Sequence, residues 1–193
     1  FKPEWAKSYY GYTKSLAEKQ IQRGVEEGLQ AAICNPSVIV GAGDWRFGSP
    51  SLFQKVHRGL SICPKGANGF VAAEDVARAA LLLLESPFNE GEKFILNAEN
   101  LSYQQVFGLI ARSLNRKPPS RLISPAVAAA YGWLQERIAD LTGKEPLVTK
   151  ESALSASRTY VYDSSKFQRA FNYSFQAVET VIQQTAQQFL KEH

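Results

Sequence analysis

The sequence has no methionine, only two cysteines and only two histidines in 193 residues, and each scarcity excludes a class of chemistry. Cys34 and Cys63 lack the paired spacing of a metal site, and His57 and His193 stand far apart in sequence. Neither a metal centre nor a nucleophile triad is indicated. No apolar run is long enough to span a bilayer and no signal peptide is present, which points to a reduced, cytoplasmic setting without a membrane partner and leaves open a targeting segment ahead of Phe1. Charge of one sign is also short: 22 basic against 18 acidic side chains leave +4 and a pI near 9.0, and the basic residues are scattered rather than striped, so no nucleic-acid partner is expected. Gly41-Ala42-Gly43 is not a phosphate loop, since it has neither a third glycine nor a lysine. What remains, 45% hydrophobic and 21% charged residues, suits one or two soluble domains with a real core.

The stretch from Tyr9 to Glu18 places Tyr10 and Lys14 four residues apart in a continuous helical pattern, which stacks them on one face. Ala17, Ile21 and Val25 are expected on its inner side, Glu18, Lys19, Gln22, Arg23, Glu26 and Glu27 on the outer, and Gly28 as its stop. An ammonium one turn away favours the anion of a phenol, and such a pair exchanges a proton with a hydroxyl or carbonyl. The bland reading is a boundary tyrosine beside a solvated lysine. The same spacing recurs at Tyr162 and Lys166. There Tyr160-Val161-Tyr162 reads as a short strand and Asp163 or Ser164 as the cap of the next helix, so that pair is expected to be structural.

Ala31 to Val40 reads as a buried strand interrupted by Pro36 and closed by Gly41. Helix followed by buried strand is an α/β signature. From Gly41 to Gly69 the composition is loop-like around a helix carrying Leu52, Phe53, Val56 and Leu60, with Ser49 or Ser51 as its N-cap. Phe70-Val71-Ala72, a helix from Glu74 to about Ser86, and Lys93-Phe94-Ile95-Leu96 then read as strand, helix, strand. Asp75 is expected to be structural, at the positive end of that helix, and Leu81 to Leu84 to form a buried surface. Ser102 opens a helix with Val106, Leu109, Ile110 and Leu114 inward, and Lys117-Pro118-Pro119 ends it. Arg121-Leu122-Ile123 is a short strand. A helix from Pro125 to about Leu141 carries Ala128, Ala129, Trp133, Leu134 and Ile138, for which core packing is favoured over a partner surface. The last helix places Val178, Val181, Ile182 and Phe189 on one face.

Four motifs in order carry a resemblance to a known family: Tyr10-xxx-Lys14 with Ala17-Glu18, Asn35-Pro36-Ser37-Val38-Ile39-Val40-Gly41, Gly69-Phe70-Val71-Ala72-Ala73-Glu74-Asp75-Val76-Ala77, and Tyr162-Asp163-Ser164-Ser165-Lys166. In these the chain resembles the extended short-chain dehydrogenase/reductases, the NAD(P)-dependent epimerase/dehydratase and dihydroflavonol-reductase-like group, over nearly its whole length. The family's opening strand, its G-x-x-G-x-x-G turn and its upstream catalytic serine or threonine have no counterpart here. The chain is therefore expected to be the C-terminal part of a longer enzyme, inactive on its own.

The resemblance implies an α/β fold: the C-terminal part of a doubly wound Rossmann domain at 1–40 and 70–97, with a smaller, mostly helical substrate-binding region at 41–69 and 98–193. It implies hydride transfer between NAD or NADP and a hydroxyl or carbonyl carbon of a small organic substrate, with Tyr10 as acid/base and Lys14 tuning it and binding the nicotinamide ribose. Pro36, Ser37 and Val38 would pass beside the nicotinamide, Ser51 would contact the diphosphate, and Trp45, Arg46 and Phe47 would border the substrate, with Arg46 able to pair with an anionic group. A homodimer is compatible with this reading. Two other readings stay open, a nucleotide-sugar epimerase/dehydratase and a non-catalytic NAD(P)-sensing scaffold on the same fold.

Overall fold

The computed structural model describes residues 9–88, 90–143 and 148–193, so expectations attached to Phe1 and the residues up to Ser8 lie outside them. The elements are α1 (Tyr9–Glu26), β1 (Ala31–Pro36), β2 (Val38–Val40), α2 (Ser51–His57), β3 (Ile62–Pro64), β4 (Ala67–Ala72), α3 (Ala73–Leu84), β5 (Glu90–Leu96), β6 (Glu99–Ser102), α4 (Tyr103–Ser113), β7 (Arg121–Ile123), α5 (Pro125–Thr142), α6 (Lys150–Ala156), α7 (Ser165–Phe171) and α8 (Val178–Glu192).

The expected buried strand is two strands that share one course. β1 pairs parallel with β5 up to Pro36 opposite Leu96, and after Ser37 the chain changes partner so that β2 pairs parallel with β4. Pro36 lacks the N–H that a ladder needs on both sides, and the switch falls there. β4 also pairs antiparallel with β6, and β3 pairs parallel with β7. Parallel pairs joined through helices make this an α/β fold.

Two clusters of buried side chains hold the layers. One joins Phe53 and Val56 of α2, Phe70 of β4, Val106 and Ile110 of α4, and Val181, Ile182 and Phe189 of α8. These are the faces that helical periodicity marks in α4 and α8. The other packs Ala79 and Leu83 of α3 and Phe94 and Leu96 of β5 against Phe167 of α7, with Phe171, Tyr173 and Phe175 around them. Asp75 is buried beside this cluster, where Tyr173 Oη and the Gln176 N–H donate to its carboxylate at 2.7 and 2.9 Å. It is structural, as expected, but it ties a distant loop to α3 rather than capping its own helix.

Several expectations are corrected. In α1 the side toward β5 is polar: Ser15 is buried, Glu18 pairs with Lys93 at 2.6 Å and Gln22 donates to the Gly91 carbonyl at 2.9 Å, while Ala17 and Ile21 are exposed. Of the four leucines only Leu82 and Leu83 join the core, and Leu81 and Leu84 face out. In α5 only Ala128 and Gly132 are buried, because Gly132 lets the backbone of Thr149 and Lys150 lie directly against the helix; Trp133, Leu134, Ile138 and Leu141 are exposed. Tyr160-Val161-Tyr162 is extended but is no strand. Its bonds run singly, Tyr160 N–H to the Ala67 carbonyl and Tyr162 N–H to Asn100 Oδ1. Asp163 accepts from the N–H and hydroxyl of Ser165 as α7 begins, whereas Ser164, at the cap position, donates to the Asn97 carbonyl. Strand β3 holds Cys63, at a position the sequence also reads as strand, whereas β6 has no counterpart in the sequence reading.

Candidate functional site

Register along α1 decides where Tyr10 lies. Gln22 sits beside Gly91 and Glu18 beside Lys93, so moving toward the N-terminus of α1 moves toward the carboxyl end of β5. Lys93, beside Glu18, precedes the end of β5 at Leu96 by three residues, about 10 Å of strand, and Tyr10 lies eight residues further up the helix from Glu18, about 12 Å. Tyr10 and Lys14 therefore stand at the carboxyl edge of the β1–β5 pair. The two side chains share a helix face, with Lys14 Nζ 5.7 Å from the centroid of the Tyr10 ring. Tyr10 is 69% exposed and accepts through its carbonyl from Thr13 Oγ1. At the matching positions of the second pair, Lys166 Nζ donates to the Lys93 carbonyl at 3.0 Å and lies over the Phe94 ring, so that ammonium is committed to β5, as the structural reading expected.

The same edge holds a small polar cluster at the strand switch. Ser37 N–H donates to the Leu96 carbonyl, and the Ser37 hydroxyl and Asn97 Oδ1 are buried without a hydrogen-bond partner among the described residues. Asn97 Nδ2 donates to the Tyr162 carbonyl at 3.3 Å. Gly69 closes the cluster: a Cβ there would fall 2.2 Å from Asn97 Oδ1 and 2.8 Å from Ser37 Cβ and the Tyr162 ring. Buried polar atoms left unpaired are unusual in a folded protein and mark places where a water or ligand is bound. Asn97 was not singled out from the sequence, since an isolated asparagine after a strand looks like a turn residue. Pro36 and Val38 flank Ser37 and are exposed and half-buried. No hydrogen bond among the described residues joins Tyr10 or Lys14 to this cluster.

The loop after β2 differs from expectation. Trp45 is only 6% exposed, packed edge-on against Phe53 and Phe189, with its indole N–H donating to Glu192 at 2.5 Å. It is a core residue rather than part of an open mouth. Arg46 is held by Asp44 through two bonds of 2.9 and 2.7 Å, and this guanidinium holds the Asp44 carboxyl down at about 2, so Arg46 already has its anion. Phe47 is exposed beneath Arg46. Ser51 is the first residue of α2 rather than its cap; the cap position is Pro50, and the Ser51 hydroxyl spends its one proton on the Gly48 carbonyl at 2.7 Å. Its free lone pairs do not suit an anion. Ser49 does not cap either, since its hydroxyl donates to the Ile39 carbonyl. A cleft of about 240 Å³ lies between this loop, Glu74 and the amide side chains of Gln176, Gln184 and Gln188.

Glu151, at the start of α6, accepts from the N–H of Tyr9 at 3.0 Å, which brings the α5–α6 hairpin to the first turn of the helix that carries Tyr10. The free N–H groups of a helix's first turn need such acceptors, but nothing in the sequence points to a partner 142 residues away. The described residues contain no group of three or more potential metal ligands, and none of their helices is long and apolar enough to cross a membrane. Cys34 and Cys63 are free, and burial pushes both thiols up, Cys63 to about 11.

No protein-family model matches the chain. A putative dihydroflavonol 4-reductase of Synechocystis sp. is 22% identical over 163 residues, 81% of this chain and 47% of the relative. Among solved structures, a nucleoside-diphosphate-sugar epimerase from Pseudomonas aeruginosa superposes on 99% of this chain and 58% of its own at a TM-score of 0.75 and 21% identity. A dTDP-glucose 4,6-dehydratase from Bacillus anthracis, solved in complex with NAD, covers 95% of this chain and 52% of its own at a TM-score of 0.68 and 13% identity. The relatives and structural neighbours are thus dihydroflavonol-reductase-like and epimerase/dehydratase proteins, and the chain has the Rossmann-type fold of those neighbours over the part it shares with them. The chain spans between 38% and 47% of the length of the curated relatives it matches.

Proposed function

We propose that this chain is part of an extended short-chain dehydrogenase/reductase that transfers hydride between NAD(P) and a hydroxyl or carbonyl carbon of a small organic substrate. The observation that carries the reading is the position of Tyr10 and Lys14 on one face of α1, at the same carboxyl strand edge as the unpaired Ser37 hydroxyl and Asn97 Oδ1. In open parallel sheets ligands bind outside the carboxyl ends of the strands. The donor set fits a nicotinamide nucleotide: Lys14 is exposed with donors for ribose hydroxyls, and the residues from Pro36 to Val38 present one buried unpaired hydroxyl. When bound, the cofactor supplies or accepts the hydride. Tyr10 Oη gives a proton to the substrate oxygen as a carbonyl is reduced, or takes it as a hydroxyl is oxidised. Lys14 favours the anionic form that Tyr10 passes through. On this reading 1–40 and 70–97 serve the cofactor, and 41–69 with 98–193 serve the substrate.

Within that class the reductase reading is favoured over the nucleotide-sugar one by the loop after β2. Its arginine is neutralised by Asp44, so it offers no free cation to a sugar-nucleotide diphosphate, and Phe47, exposed beside it, is apolar. The test uses the full-length protein with deuterium-labelled NADPH and NADH against panels of small ketones and nucleotide sugars. Label appearing on a small ketone's carbinol carbon supports the proposal, whereas label kept on the cofactor with every substrate, or net turnover of nucleotide sugars only, contradicts it.

A further inference from the structure

The C-termini of α2 and α4 frame a groove of about 730 Å³ lined by His57, Arg58, Gly59, Leu60, Ser61, Arg116, Lys117, Pro118 and Ser120. No carboxylate among the described residues lines it. Arg58, Arg116 and Lys117 are exposed and form no ion pair among the described residues. Three positive charges thus meet in one groove of a chain whose whole excess is +4. His57 adds none. Arg116 Nη2 stands 3.3 Å from His57 Nε2, and because a guanidinium only donates, Nε2 accepts and the ring proton sits on Nδ1, which is buried and unpaired. Burial first, then Arg116, His193 and Arg58, push this imidazole below its usual range and keep it neutral.

Basic residues at helix C-termini have an ordinary explanation, the negative end of the helix dipole. Each such end supplies roughly half a negative charge. Two of them leave about two of the three positive charges without a counter-charge. The remainder matches a dianion, and the groove, within the usual range of about 300–1,000 Å³ for small-molecule sites, is roomier than a bare phosphate needs. The Ser61 and Ser120 side chains offer hydroxyl donors at its wall.

We infer that this groove binds a small molecule through a phosphate or diphosphate group, held by Arg58, Arg116 and Lys117 across the ends of α2 and α4. It is separate from the site around Tyr10, and the inference does not depend on that site's chemistry.

The test is calorimetric titration of the 193-residue chain with inorganic pyrophosphate at low salt. Three proteins are compared: wild type, Arg58→Ala with Arg116→Ala, and Lys19→Ala with Arg169→Ala as a pair of exposed cations elsewhere. The positions are exposed, so the fold should survive in all three. Saturable one-to-one binding in the sub-millimolar range, weakened at least about tenfold by the groove pair and under about twofold by the control pair, is expected; tenfold corresponds to losing one charge-assisted contact. A shift of the His57 ring resonances on titration should accompany it. No saturable binding, or equal losses from the two double variants, would overturn the inference in favour of a diffuse surface charge.

Discussion

Tyr173 donates its phenolic proton to Asp75 across 2.7 Å, and this bond fastens the turn before α8 to the first turn of α3. Asp75 is 1% exposed and accepts a second bond from Gln176 N–H. Removing the acceptor leaves both donors unpaired. Asp75→Ala should cost about 3 kcal/mol and Tyr173→Phe about 1–2 kcal/mol, measured by chemical denaturation near neutral pH. Equal, negligible losses would show that the turn is held by packing alone.

The same bond sets an alkaline limit. Burial first, and then the bond to the Asp75 carboxylate, push the Tyr173 phenol from 10.0 up to about 12. In the unfolded chain the phenol ionises near its ordinary value, so only there does it lose its proton between these two values. Its contribution is therefore complete below pH 10 and declines as pH rises toward 12. The denaturation midpoint of wild type should fall over that window more steeply than that of Tyr173→Phe; parallel curves would remove Tyr173 from the account.

Two helical glycines should respond in opposite directions. A Cβ at Gly108 of α4 meets nothing within 4 Å, so Gly108→Ala should stabilise by roughly 0.5–1 kcal/mol through helix propensity. A Cβ at Gly132 of α5 would lie 2.7 Å from backbone atoms of Thr149 and Lys150, which have no freedom to turn aside. Gly132→Ala should cost about 1–3 kcal/mol and loosen α6. Thermal denaturation checks both signs.

Trp45 separates core from substrate roles. With its ring against Phe53 and Phe189 and its N–H on Glu192, Trp45→Ala should cost about 3–5 kcal/mol. Phe47→Ala, at an exposed position in the same loop, should change stability by under about 0.5 kcal/mol and raise KM instead. The reverse pattern would restore Trp45 to the substrate mouth.

Local signals in the sequence were enough for α4 and α8, where the apolar period agrees with the observed faces and Ser102 stands at the start of α4 as read. They were enough for the parallel strands β1, β4 and β5, and for placing Tyr10 and Lys14 on one helix face. They failed where a distant partner decides. Trp45 is buried by a helix nearly 150 residues on. The inner face of α1 is chosen by Lys93 and Gly91 on β5, so polar Glu18 and Gln22 face inward while Ile21 does not. That Ser37 and Asn97 lie side by side at the strand switch, around Gly69, depends on sheet register, which no window of sequence contains.

We propose Tyr10, and not the similarly spaced Tyr162, as the acid/base group. Tyr10→Phe and Tyr162→Phe in the full-length protein remove one phenolic oxygen each with little change of shape. The direct measurement is single-turnover hydride transfer at saturating cofactor and substrate. Tyr10→Phe should slow it by roughly a hundredfold or more, and Tyr162→Phe by no more than a few-fold; equal losses from the two, or an unimpaired Tyr10→Phe protein, would contradict the account.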